Sequence, residues 1–124
     1  MKKFKILIVD DNEFFRRTLK STLKGCFPTL SIDEAADGDD TLKKVDTFIP
    51  DLIFMDIQLP GENGLELAKK IKATHPNITL LILTGYDMPE YREAVSQYGA
   101  DRFLSKFSLN PMGLEELVRS YLKV

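Results

Sequence analysis

Pro50-Asp51-Leu52-Ile53-Phe54-Met55-Asp56-Ile57-Gln58-Leu59-Pro60-Gly61 carries an apolar run rich in β-formers out to a carboxylate, Asp56, and then to a Pro-Gly turn. Leu52 to Met55 shows no polar alternation, the pattern of a strand buried on both faces. Such strands belong to parallel sheets covered by helices, and ligands bind outside the carboxyl ends of the strands in those sheets. Asp56 stands at such an end.

Working outward, Phe4 to Val9 is a second short β-branched run. It stops at Asp10-Asp11-Asn12, residues that favour turns and helix caps. Phe15, Leu19, Thr22 and Leu23 then recur at helical spacing until Gly25 and Pro28, with Asn12 or Asp11 as N-cap. Leu30 to Ala36 reads as a weaker strand. Asp37-Gly38-Asp39-Asp40 opens a helix with Leu42, Val45 and Ile49 on one face. Beyond Asp56, Pro60-Gly61-Glu62-Asn63-Gly64 is turn-rich, and a helix with Leu67, Ala68 and Ile71 as its stripe ends at His75-Pro76-Asn77.

Ile78 to Leu83 is the most hydrophobic run and reads as a central strand delivering Thr84-Gly85. Met88 to Tyr98 is expected to be helical, with Pro89 near its first turn and Gly99 as its cap. Arg102-Phe103-Leu104 makes a short strand ending near Ser105-Lys106, and Leu114, Leu117, Val118, Tyr121 and Leu122 mark a last amphipathic helix. Strand and helix thus alternate five times. Connection rules make this a doubly wound α/β fold, a five-stranded parallel sheet with five helices in right-handed crossovers, and the strand order is taken to be 2-1-3-4-5.

The chain has 124 residues, which fits one domain over 1–124. Seventeen basic and nineteen acidic residues give a net charge of -2, which argues against direct nucleic acid binding. Cys26 is the single cysteine, so no internal disulfide and no thiolate-rich zinc site can form, and the residue reads as a small buried hydrophobe. No apolar run approaches the ~20 residues of a membrane span. The opening Met1-Lys2-Lys3-Phe4 leads into a strand far shorter than a signal peptide's apolar core. A cytoplasmic location is expected.

With all strands running one way, Asp10, Asp11, Asp56, Thr84 and Lys106 gather along one sheet edge, provided the strands ending at Val9 and Asp56 are neighbours. Taken singly each has a plain structural role: Asp10 and Asp11 as caps, Asp56 and Thr84 in turns, Lys106 on the surface. Together they outline a site. Three converging carboxylates either raise their pKa values or bind a cation, and hard oxygen ligands favour Mg2+. Lys106 adds positive charge and Thr84 a hydroxyl donor, an arrangement in which a carboxylate could accept a phosphoryl group.

Asp10-Asp11, Asp56 followed by Pro60-Gly61 and Gly64, Thr84, Gly99-Ala100-Asp101, Phe103 and Lys106 make the chain resemble a two-component response-regulator receiver domain of the CheY-like, flavodoxin-like class over essentially its whole length. The resemblance implies that Asp56 is the phosphoacceptor for a sensor histidine kinase or phosphotransfer protein, without the chain being an enzyme in its own right. It implies Mg2+ held by Asp11, Asp56 and the backbone carbonyl of Gln58, with Asp10 assisting through water. Thr84 and Phe103 would form the switch, and Gln58 and Tyr86 would tune the lifetime of the acyl phosphate. Met88 to Tyr98, Arg102 to Leu104 and Met112 to Lys123 would signal to a downstream output protein or an attached output domain, and could support a dimer. One departure stands out. The family's lysine is usually followed by a cis proline, whereas Lys106 precedes Phe107, so either a cis bond without proline or a rearranged loop is expected over Phe107 to Leu109.

Rival chemistries fit less well. A flavin site needs a hydroxyl- and glycine-rich phosphate loop after the first strand, where Asp10-Asp11 would repel phosphate. A haloacid-dehalogenase-type phosphohydrolase needs Asp-x-Asp there, and this chain has Asn12 in the third position. His75, the single histidine, precedes Pro76 at a helix end and reads as a solvated residue rather than a catalytic base.

Overall fold

The computed structural model describes residues 3–85, 93, 97–106 and 109–122. Five strands, β1 (Lys5–Val9), β2 (Ser31–Ala35), β3 (Leu52–Asp56), β6 (Thr79–Thr84) and β7 (Arg102–Ser105), form one parallel sheet in the order β2-β1-β3-β6-β7. Once a small hairpin, β4 (Gln58–Leu59) and β5 (Glu62–Asn63), is set apart, this is the expected 2-1-3-4-5 order. The helices are α1 (Glu13–Cys26), α2 (Gly38–Thr47), α3 (Gly64–Thr74) and α4 (Pro111–Leu122). The expectation of five helices is therefore corrected to four among the described residues. The stretch Met88 to Tyr98, which was to supply the fifth, lies outside the described residues apart from Glu93, Gln97 and Tyr98.

The unbroken apolar runs are explained by burial on both faces of the sheet. Every residue of β3 is buried, and in β6 only Thr79 is partly exposed. Successive side chains of a strand point to opposite faces, and two cores result. Leu7, Val9, Ile53, Met55, Leu80 and Ile82 pack with Val45, Leu67, Ala68 and Ile71 of α2 and α3. Ile6, Ile8, Leu52, Phe54, Leu81 and Leu83 pack with Leu19 and Leu23 of α1 and Leu114 and Val118 of α4. The outer strands β2 and β7 are mostly half-buried, as sheet edges with polar residues should be.

Capping chemistry sets the helix starts. The side chains of Asn12, Asp37 and Asn63 accept from the N–H groups of Phe15, Asp40 and Leu65, each satisfying one of the donors a helix leaves free at its N-terminus. Asn110 Oδ1 does the same for Gly113 N–H (2.8 Å). The α2 stripe is shorter than the sequence pattern indicated. The helix ends at Thr47, and Ile49 is 55% exposed at φ 52°, a left-handed conformation costly for a β-branched residue. Cys26, expected to be buried, is half-buried at the last position of α1.

Two features fix the start of β7 and the turn that follows β3. Asp101 lies between Gly99, at φ 83°, and β7. Its N–H donates to Leu80 O (2.8 Å) and its Oδ2 accepts from Leu80 N–H (2.7 Å), with Lys72 Nζ 2.9 Å from the same oxygen. After Asp56 the chain turns through Pro60-Gly61, where Gly61 takes φ 69°, the value a type II turn needs at its second central position. It returns so that Gly64 N–H donates to Ile57 O (2.7 Å). Gly64 lies against the backbone here, and an added Cβ would stand 2.2 Å from Asp56 O and 2.8 Å from Ile57 Cα. The Lys106-Phe107 peptide and the loop expected to adjust around it lie outside the described residues at Phe107 and Ser108.

Gly64→Ala should therefore destabilise the protein by about 2 kcal/mol, the range of overpacking against structure that cannot yield. Gly25→Ala, where a Cβ meets nothing within 4 Å, should gain up to about 1 kcal/mol from helix propensity. Urea denaturation of the two variants checks both signs.

Candidate functional site

Parallel register alone brings the candidate residues to one edge. Val9 pairs with Met55, Asp56 with Leu83 and Thr84 with Ser105. Asp10 and Asp11 therefore follow β1 beside the end of β3, Thr84 ends β6, and Lys106 follows β7. Asp10, Asp56 and Thr84 are buried, whereas Asp11 is exposed. Carboxylate oxygens of Asp10, Asp11 and Asp56 all lie within 4.8 Å of one another.

Lys106 enters this cluster from the far side of the sheet. Its Nζ stands 2.6 Å from Asp10 Oδ2 and 3.4 Å from Asp56 Oδ2. The approach to Asp10 is close enough for an ion pair but poorly aligned, and Asp10 Oδ2 is left buried without a hydrogen-bond donor. The other oxygens are engaged locally: Asn12 N–H donates to Asp10 Oδ1 (2.9 Å) and Gln58 N–H to Asp56 Oδ1 (3.3 Å).

The remaining sequence candidates are less central. Gln58 lies in β4 with an exposed side chain. Phe103 is half-buried and packs on the core shared with α2 and α3. Tyr86 lies outside the described residues, as does most of the Met88 to Tyr98 part of the expected signalling face.

Two residues enter the site that sequence pattern did not single out. Arg16 Nη1 donates to Asp10 O (2.7 Å) while its Nε meets Glu34 Oε1 (3.1 Å), clamping the backbone at Asp10 from α1. A cation near the positive end of a helix opposes the dipole, and that was the available signal that it had a specific partner. Phe15, whose spacing marked it only as a core residue, places its ring 4.4 Å from Lys106 Nζ.

Electrostatics at Asp56 is a contest. Burial raises its pKa above the usual 3.8, the neighbouring Asp10 charge raises it further, and Lys106 with the Gln58 N–H pulls it back without winning. Burial acts to lower the Lys106 pKa, but the pairing with Asp10 and then with Asp56 overrides it, so the ammonium is held more firmly than usual. A divalent cation would suit this edge on the chemistry of the donors. Three hard carboxylates converge, one of them presents a buried oxygen with no donor, and the net charge of the cluster stays negative even with Lys106 present.

Comparison with known proteins points one way. The response regulator receiver domain matches residues 6–120. Response regulator MprA of Mycolicibacterium vanbaalenii is 33% identical over 114 residues, covering 92% of this chain and 47% of that protein. The chain thus spans about half the length of the curated relatives it matches. A CheY-like response regulator receiver domain protein from Methanospirillum hungatei superposes with a TM-score of 0.89 at 30% identity, covering 98% of this chain and 95% of that one. The signal receiver domain of a DNA binding response regulator from Colwellia psychrerythraea gives 0.91 at 27%, covering 98% and 100%.

The raised Asp56 pKa has a signed consequence for stability. Between 3.8 and the raised value the folded state holds a proton that the unfolded chain has released, so stability falls as pH rises through that window and stays reduced above it. Asp56→Asn removes the cost. Without added metal its melting temperature should exceed that of the wild type by about 2–4 °C at pH 7, and the difference should shrink below pH 4; calorimetry across pH checks it.

Proposed function

The chain belongs to the response regulator receiver domain family, and on that premise we propose that Asp56 is its phosphoacceptor, within a single receiver unit spanning 1–124. The carrying observation is the convergence of Asp10, Asp11 and Asp56 within 4.8 Å with Lys106 against them. A carboxylate with a raised pKa is a more basic nucleophile, and Lys106 and a bound metal would favour its ionised form by offsetting the charge. Asp56 attacks phosphorus, an Asp56 O–P bond forms, and the bond from phosphorus to the donor's leaving group breaks. With a histidine kinase or phosphotransfer protein as donor, the leaving group is an imidazole.

Mg2+ is the cation that best suits a few hard carboxylates, and Asp11, Asp56 and the Gln58 backbone carbonyl would hold it, with Asp10 assisting through water. When bound, it supplies positive charge to the phosphoryl oxygens during transfer. Lys106 binds a second phosphoryl oxygen, and the Thr84 hydroxyl donates to another. Phosphorylation then favours the state in which Thr84 reaches toward Asp56 and Phe103 repacks inward, a two-state shift driven by contacts only the modified carboxylate offers. Gln58 and Tyr86 govern water access to the acyl phosphate. The reading extends to signalling through the face around Arg102 to Leu104 and Met112 to Lys123, toward an output protein, an attached output domain or a second copy. It also takes the chain to act in the cytoplasm, in line with no helix among the described residues being long and apolar enough to cross a membrane.

Incubation with Mg2+ and acetyl phosphate should add one phosphoryl group to the wild type by intact mass and none to Asp56→Asn. Equal labelling of the two, or none of either, would sink the assignment. Mg2+ alone should raise the wild-type melting temperature through preferential binding to the folded state, and Asp11→Ala should abolish most of that rise.

A further inference from the structure

The Lys106 ammonium forms an ion pair with Asp10 Oδ2 at 2.6 Å and donates to Asp56 Oδ2 at 3.4 Å. The same nitrogen lies over the ring of Phe15, whose centroid is 4.4 Å away. That is closer than Lys5 over Phe48 (5.8 Å) or Arg119 over Phe27 (5.5 Å), and the Lys106 side chain is only 18% exposed. A desolvated cation over an aromatic face is where this attraction is strongest. The same ring lines a groove of about 180 Å³ with Thr18, Leu19, Lys106, Leu109 and Leu114, so the lysine stem runs between α1 and the approach to α4.

We propose that Phe15 is a positioning residue for phosphoryl transfer: its π face is a seat for the Lys106 ammonium that does not depend on the carboxylates. The proposal rests on the reading of Asp56 as phosphoacceptor. A carboxylate seat weakens when a divalent cation neutralises Asp10, Asp11 and Asp56, because the two cations then repel each other and compete for the same oxygens. The aromatic seat has no such competitor. It keeps the ammonium beside Asp56 at the stage when the incoming phosphoryl oxygens need it, and it does so in a chain whose next residue is Phe107 instead of a proline that would stiffen the lysine from behind.

The test replaces Phe15 by 4-fluoro-, 3,5-difluoro- and 3,4,5-trifluorophenylalanine, which drain the negative face of the ring with little change in shape. The full chain is used throughout. Two quantities are read at saturating Mg2+: the ring-current shift of the Lys106 ε-protons by NMR, and the rate of phosphoryl uptake from acetyl phosphate by intact mass. The rate should fall stepwise along the series, reaching roughly two- to fivefold with the trifluoro ring, the range open to a partly shielded cation–π contact. Phe15→Leu should do at least as much and erase the ring-current shift, Phe15→Trp should keep both, and melting temperatures across the fluorinated series should stay together. A rate indifferent to fluorination, or Lys106 ε-protons that do not sense the Phe15 ring when Mg2+ is bound, overturns the seat. If the wild type itself takes up no phosphoryl group, the phosphoacceptor reading falls instead, and the Lys106 shift still decides whether the ring holds the ammonium.

Discussion

Carboxylates held within 4.8 Å of one another repel, and the rest of the molecule can be read as what makes that repulsion tolerable. A parallel sheet with two separate cores fixes β1 and β3 side by side, so Asp10 and Asp56 cannot drift apart to relieve the charge. Lys106 offsets part of it from the opposite side, but burial and Asp10 still leave the Asp56 carboxylate less acidic than usual. Stability is thereby spent at the edge where function lies, a trade made possible by strands β3 and β6 behind it, buried everywhere but at Thr79.

The supports of the site come from different elements for physical reasons. Backbone N–H groups at Asn12 and Gln58 hold one oxygen each of Asp10 and Asp56. Arg16 reaches back from the second turn of α1 to the Asp10 carbonyl, and Glu34 of β2 holds the Arg16 guanidinium in turn. The β4-β5 hairpin brings Gly64 against the Asp56 carbonyl. Each support acts on backbone or on an Oδ1 atom, which leaves the Oδ2 atoms of Asp10 and Asp56 to the Lys106 cation.

The central strands and the residues at their ends were legible in the sequence because strands buried on both faces leave unbroken apolar runs, as at Leu52 to Met55, whereas the sheet order rested on the fold class and not on any run, and the observed order agrees with it. The gathering of the five charged and hydroxyl residues followed from common strand direction together with the adjacency of β1 and β3. The β4-β5 hairpin was not legible: two residues per strand give no periodicity, and Pro60-Gly61 announces a turn without saying that its flanks pair. Ile49 misled because its spacing suits a helix that in fact ends before it, at Thr47. Phe15 and Arg16 were hidden for a further reason. Helical spacing tells which face a residue takes, but not whether a neighbouring element delivers a cation or a carbonyl to it.

Asp101 ties β7 to β6 twice, through its own N–H to the Leu80 carbonyl and through its side chain to the Leu80 N–H. The pair works as an indexing pin. Lys106 lies five residues further on, and a strand displaced by a single step would turn its side chains to the opposite faces of the sheet. The tolerance on where the ammonium arrives is thus set at the opposite end of the strand, about 15 Å from the carboxylates it must meet. Alignment of the charged edge is a matter of metrology along β7 as much as of attraction at its tip.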